Sequence, residues 1–296
     1  MSSRPERTDP SLPERGSGGP VGGSDHDRAV TAGRRRPNRG LATLVSLGFA
    51  VGLPIALIAL WSVWARVNPQ IFFPGPGRIF SAFRDTWLGP ALTQHVVPSL
   101  TRLAISIVLA ISIGIAAGMV IGLTRWLREL LEPVLEFFRA IPPPVLIPVF
   151  MLILGITGTM QITAIVAGAI WPVLLNTIDG VRSTDSVMTE TAQSFRLTRA
   201  ERLRFLVLPA ASPRIMTGVR QTLSIALIMM VISEMFGASS GLGYQIVYFQ
   251  RNYLVAEMWS GIVLLGLVGV FLALVFSFVE RRVLAWYHGI KETERA

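Results

Sequence analysis

Cysteine is absent from this chain of 296 residues, which excludes disulfide scaffolds, thiolate zinc sites and cysteine nucleophiles. Charge is scarce as well: 15% of the residues are Asp, Glu, Lys or Arg, where an average soluble domain carries roughly 25%. The three histidines, His26, His95 and His288, lie too far apart to form an H-x-x-x-H ligand pair, and no H-E-x-x-H metalloprotease motif occurs. Lys291 is the sole lysine among 27 basic residues. No Gly-x-x-x-x-Gly-Lys-[Ser/Thr] phosphate loop is present, and no Walker-B-like acid follows a strand. What remains is apolar: 51% of the residues are hydrophobic. This balance points away from a water-soluble enzyme, and a polytopic membrane protein is expected.

The positions of the missing charges give the architecture. A bilayer core of about 30 Å takes about 20 apolar residues as helix, at 1.5 Å rise per residue. Residues 40–65 and 103–124 are uncharged windows of that size. Residues 140–178 are charge-free for 39 positions, too long for one crossing. They suit a helical hairpin turning at Gly155-Ile156-Thr157-Gly158-Thr159, whose first helix begins near Pro133. Residues 215–237, carrying Arg220 and Glu234, and residues 258–279 complete six expected crossings. The first apolar run is too long for the core of a signal peptide, and no small-residue cleavage pattern follows it.

Arginine placement sets the expected orientation. With the N-terminus in the cytoplasm, the inner side holds eight Arg of the tail, Arg125, Arg128, a dense set over residues 182–214, and Arg281 and Arg282. The outer side keeps Arg66, Arg78, Arg84 and Arg251. Both termini are therefore expected inside. Residues 1–40 hold seven Gly, five Pro and five Ser and almost no apolar side chains, so the tail is read as disordered and cytoplasmic. Arg34-Arg35-Arg36 reads as a topology anchor near anionic headgroups; a twin-arginine signal is the rival reading. The remaining boundaries are a first transmembrane helix over 41–66, a main domain over 67–288, and a cytoplasmic tail over 289–296.

Residues 182–213 form the one sizeable polar segment on the inner face after the tail. Asp185 or Ser186 can cap a helix with Glu190 in its first turns. Val187, Met188, Thr191, Ala192 and Phe195 place an apolar stripe on one face. A second helical piece over 200–208 ends at Pro209, with a turn near residues 196–198. Such a loop either lies on the membrane surface or docks into a soluble partner.

Here the residues resemble a family. Glu190-Thr191-Ala192, then Arg196, then Val207-Leu208-Pro209 is similar to the "EAA" loop of bacterial ABC importer permeases. That loop has Glu-Ala-Ala, three residues, Gly, nine residues, and an apolar-x-Leu-Pro close. Phe73-Pro74-Gly75-Pro76, His95 with Ser99-Leu100-Thr101-Arg102, Arg139-Ala140-Ile141-Pro142, Pro148, Trp171-Pro172, Asn176-Thr177, Gly218-Val219-Arg220, Ser233-Glu234-Met235, Gly241-Leu242-Gly243 and Trp286 resemble the branch that handles nitrate, sulfonates, taurine and related small anions or vitamin precursors. Thr191 replaces the first Ala, and Arg196 replaces the Gly that permits positive φ or close helix approach. Arg196 must then open the turn or point its side chain outward.

The resemblance implies an all-α, type I ABC importer permease of MetI-like fold in the bacterial inner membrane. A transport subunit is implied, and not an enzyme. It binds no cofactor of its own, because ATP is held by a separate cytoplasmic ATPase dimer, and an extracytoplasmic solute-binding protein feeds it. A homodimer surrounded by lipid is expected, and no nucleic acid. Glu190, Thr191, Ala192, Phe195, Arg196, Leu208 and Pro209 are the expected ATPase-coupling residues, with Arg199, Arg202 and Arg204 available to pair with acids on the partner. Glu234, Pro142, Pro148 and Trp171 are candidates for a pathway or gate; an interior, hydrogen-bonded Glu234 is the alternative. Arg220 is expected to snorkel, and His95 to cap or sit at the interface. Residues 72–87 are expected as a surface helix with Ile79, Phe80 and Phe83 on one side. Gly114, Ala116, Ala117, Gly118, Gly261, Gly266 and Gly269 support close helix contacts, within the chain or across a dimer. A permease for amino acids or metals, and a secondary transporter, are the competing classes; the latter usually shows paired intramembrane acids in matching halves.

Overall fold

The computed structural model describes residues 39–183 and 186–287. The disordered-tail expectation, the Asp185 cap and the C-terminal tail lie outside the described residues. Contacts divide the chain inside its first helix, into Met1–Ala56 and Leu57–Ala296. Of the first unit the structure describes the start of α1 (Arg39–Val67). All contacts below belong to the second unit.

That unit is helical, with no strand among the described residues. α2 (Pro76–Trp87) and a π-helical turn (Leu92–Val96) lead into α3 (Val97–Leu123). α4 (Arg125–Ala140), a 3₁₀ turn (Pro143–Leu146) and α5 (Ile147–Leu154) precede α6 (Gly158–Arg182). α7 (Ser186–Ser194) and α8 (Arg199–Arg202) run through a second π-helical turn (Leu203–Val207) into α9 (Leu208–Phe236). α10 (Leu242–Arg251) and α11 (Val255–Val283) close the chain.

Among the described residues, four helical stretches are long and apolar enough to cross a bilayer: Leu92–Leu123, Gly158–Arg182, Arg199–Phe236 and Val255–Val283. The third expected crossing differs. α4 stops at Ala140, and the pair formed with the segment Pro143–Leu154 is bent by 87°. The cause is Pro142-Pro143-Pro144: none of the three can donate a backbone hydrogen bond, and Pro142 and Pro143 force their predecessors out of the helical region. Ile141 and Pro142 accordingly sit at φ/ψ of −74/122° and −60/119°. Gly155 then turns the chain at φ +66°, and the Thr157 hydroxyl accepts from the Met160 N–H to start α6, at the turn expected from sequence.

α6 is the centre of the unit. Gly114, Gly118 and Gly122 of α3 face Val173, Thr177 and Val181 of α6, one contact per turn. A Cβ on Gly118 would stand 2.7 Å from Thr177 Cβ and 2.8 Å from the Leu174 carbonyl. On the other side Gly218 of α9 lies against Pro172 and Asn176, and Gly180 against Ala211. In lipid, where apolar burial gives helices little reason to associate, such backbone approach supplies the packing. Gly261 meets Ile246 and Trp87, and Gly269 meets Leu227, so these glycines serve contacts inside the chain; Gly266 has nothing within 4 Å. In α2, Ile79 and Trp87 are buried and Phe83 packs on the core, whereas Phe80 is 72% exposed and leaves the expected stripe. Spacing explains it: positions 79, 83 and 87 share a helix face at i, i+4, i+8, and 80 is turned off it.

Candidate functional site

The α7–α8 loop takes its shape from two local signals. Thr198 caps α8 in a capping box: its hydroxyl accepts from the Glu201 N–H at 3.3 Å, while its own N–H donates to Glu201 Oε2 at 2.8 Å. α7 ends in a Schellman turn, with Leu197 N–H donating to the Ala192 carbonyl at 3.1 Å. The residue this turn places in the left-handed region is Arg196, at φ +52°. Of the two adjustments expected, the turn stays closed and the Arg196 side chain is exposed; its backbone adopts the conformation a glycine would have taken. Pro209 is another correction. It does not end the second helical piece, because the wide Leu203–Val207 turn accommodates its ring and its missing N–H, and the helix continues from Arg199 to Phe236.

The expected apolar stripe of α7 divides in two. Ala192 turns inward and is buried, whereas Met188 is 55% and Phe195 76% exposed. With Thr191, Leu197, Phe205 and Leu206 they line a groove of about 450 Å³. Phe205, itself 67% exposed, carries the Arg204 guanidinium 5.5 Å above its ring. Glu190 is exposed on the same helix. Leu208 and Pro209 are half-buried, and their neighbour Val207 packs into the core with Ala211 and Ile215. A rigid base thus carries an exposed apolar and aromatic rim.

The pathway candidates do not come together as one site. Trp171 stacks on Phe138 of α4, ring centres 6.3 Å apart, and Pro142 and Pro148 are exposed on the α4–α5 bend. Glu234 is elsewhere, 1% exposed near the end of α9. Ser99 Oγ donates to its carboxylate at 2.7 Å, Arg102 Nη1 at 3.0 Å and the Gly243 N–H at 3.0 Å. Arg102 also donates to the carbonyl and hydroxyl of Ser240, both at 3.0 Å. The Leu242 N–H donates to Ser99 Oγ at 2.8 Å, and the Gly241 N–H to His95 Nδ1 at 3.3 Å. Glu234 is thus the hydrogen-bonded interior acid, and His95 accepts from the N-cap of α10 and not from the helix it leads into. Arg220 does more than snorkel: it is paired with Glu280 and lies 5.5 Å over the Phe276 ring.

Sequence reasoning missed Ser99 and Arg102 as partners of Glu234. They stand more than 130 residues away, and in sequence they register as part of the Ser99-Leu100-Thr101-Arg102 stretch and, for Arg102, as the edge of an uncharged window, neither of which names a partner. It also missed that residues 237–241 spell G-x-S-x-G. In the structure this run joins two helices; Ser239 is exposed, with no His, Asp or Glu hydrogen-bonded to it among the described residues. A nucleophile elbow needs a strand-to-helix turn, so the spelling carries no hydrolase chemistry.

The family described as "Binding-protein-dependent transport system inner membrane component" matches residues 110–286. The chain belongs to that family. The putative aliphatic sulfonates transport permease protein SsuC of Bacillus subtilis (strain 168) is 30% identical over 236 residues, 79% of this chain and 86% of that protein. The taurine transport system permease protein TauC of Escherichia coli (strain K12) is 29% identical, with 80% and 89% covered. The bicarbonate transport system permease protein CmpB of Synechococcus elongatus is 28% identical, with 78% and 89% covered. Among solved structures, an inward facing conformation of the MetNI methionine ABC transporter superposes with TM-score 0.57 at 22% identity, covering 65% of this chain and 96% of that one. The permease therefore has the MetI-like fold and is an ABC transporter permease of the sulfonate, taurine and nitrate branch, a multi-pass membrane protein.

Proposed function

We propose that this permease forms the path by which a small oxyanion, such as a sulfonate, taurine, nitrate or bicarbonate, crosses the inner membrane. A cytoplasmic ATPase dimer supplies the energy, and an extracytoplasmic binding protein supplies the solute. The observation that carries the ATPase reading is the exposed rim of the α7–α8 loop. Met188, Phe195 and Phe205 stand out from a rigid base, the kind of apolar surface that a partner covers. Glu190, Thr191, Ala192, Arg196, Leu208 and Pro209 frame that rim. Closure of the ATPase subunits would move it, and because α8 runs without a break into α9, a push on the loop is transmitted along a helix that spans the membrane.

The substrate class is supported by the relatives, whose names include sulfonate, taurine and bicarbonate permeases. One chain supplies half of such a path, so a homodimer about a two-fold axis is part of the reading, with both termini in the cytoplasm. ATP binds the partner, and the permease holds no cofactor. The test is reconstitution of the permease in proteoliposomes with its cognate ATPase and binding protein. Uptake of radiolabelled taurine, an alkanesulfonate, nitrate and bicarbonate is measured in turn. ATP- and binding-protein-dependent uptake of one of them is expected. Uptake of an amino acid or a metal ion instead would refute the substrate class, and uptake without the ATPase would refute the mechanism.

A further inference from the structure

α10 is a half-helix. Its ten residues rise about 15 Å, too little to cross a bilayer. It lies between the end of α9 and the start of α11, at the end of the bundle away from α7 and α8. Its first two N–H groups, and that of its N-cap, are taken by side chains from elsewhere in the fold: Leu242 by Ser99, Gly243 by Glu234 and the N-cap Gly241 by His95. The segment before it is tied to Arg102 through Ser240.

α10 shares the close packing of the rest of the fold: Gly243 lies against the Val231 carbonyl of α9, and Leu242, Ile246 and Phe249 are buried. To this its N-terminus adds a buried ion pair and its hydrogen bonds. An apolar contact would fasten a helix in lipid without burying a carboxylate, and the best-attested use of such a pair is to specify one of several arrangements. A second observation lies beside the first. Gln161, 2% exposed, donates from Nε2 to the Gly237 carbonyl at 2.9 Å, at the base of the same segment, and its Oε1 has no hydrogen-bond partner among the described residues. Buried acceptors are ordinarily satisfied, so this network has room for a further donor that a different placement of residues 238–240 would bring.

We propose that Ser99, Arg102 and Glu234 form a latch that fixes α10 against α3 and α9 and must release it during each transport cycle. The latch rests on the permease reading, and it makes these three positioning residues that set the coupling between ATP hydrolysis and transport. Glu234→Gln keeps the size of the side chain and removes the ion pair. In the reconstituted complex it should raise ATP hydrolysis in the absence of binding protein several-fold and lower the solute imported per ATP, with Arg102→Lys between it and the wild type. A merely structural cluster would lower both activities together and would not raise uncoupled hydrolysis; that result, or wild-type coupling in both variants, would overturn the latch.

Should Glu234→Gln fail to insert, a cross-link decides. The rings of His95 and Tyr244 stack with centres 6.0 Å apart, and the chain holds no native cysteine to interfere. A His95→Cys, Tyr244→Cys permease bridged by a short bifunctional methanethiosulfonate should lose import and regain it on reduction. Import by the bridged protein at its own unbridged rate would refute release of α10. Absence of ATP-driven import in the wild type would be a different failure, that of the permease reading itself.

Discussion

Arg196 holds φ +52° with a full side chain, a conformation that costs an L-residue about 1–2 kcal/mol and a glycine almost nothing. Arg196→Gly should therefore be tolerated and should steady the turn, read as unchanged or higher melting temperature of the purified complex. Loss of the ATPase on co-purification of that variant would instead mark the guanidinium as a partner contact. Gly241 is the opposite case. At φ +130°, a Cβ there would come within about 2.5 Å of both Glu234 carboxylate oxygens. Gly241→Ala combines backbone strain of about 1–3 kcal/mol with that collision, and a clear fall in melting temperature in detergent is the expected result. Gly266→Ala, with open space around it, is the control and should change nothing.

At the scale of elements, two surfaces can be separated by experiment. Gly118→Leu would force α3 away from α6, since even a Cβ meets Thr177 and the Leu174 carbonyl at under 3 Å. Overpacking of this kind typically costs about 1–3 kcal/mol, and reduced recovery of folded permease by gel filtration in detergent would show it. Phe195→Ser and Phe205→Ser alter an exposed rim, so insertion and melting should be unchanged. ATPase retained on the affinity-purified permease should fall, because each removes a large apolar group from the surface assigned to the partner. Equal ATPase recovery from wild type and the double variant would argue that another surface carries the coupling.

At the scale of the whole molecule, the reading places residues 182–214 in the cytoplasm, on the arginine asymmetry. The native chain has no cysteine, so Arg199→Cys and Arg251→Cys report topology without background. An impermeant maleimide should label position 251 from outside intact cells, and position 199 only after permeabilisation. The reverse pattern would invert the orientation and remove the cytoplasmic ATPase as the partner of α7 and α8.

What the sequence determined by itself is what depends on neighbours along the chain. A bilayer penalises charge wherever it falls, so runs free of charge mark crossings at α3, α6 and α11 without knowledge of the fold, and α9 follows as an apolar run carrying only Arg220 and Glu234 between residues 215 and 237. Turns are equally local: Gly155 with Thr157, and Thr198 with Glu201, announce their helix ends. Even the Arg196 turn was legible, as the position where a glycine is due. The tertiary structure decided whatever depends on residues far apart in sequence. The proline run at 142–144 is visible in sequence, but the 87° direction change it produces depends on how α5 packs against α6. The buried acid at 234 is visible too, but its partners Ser99, Arg102 and the α10 N-terminus are brought together only by packing three helices. A charge can be located from sequence because its cost is paid where it stands; its compensation depends on distance in space, and that is settled only when the helices have met.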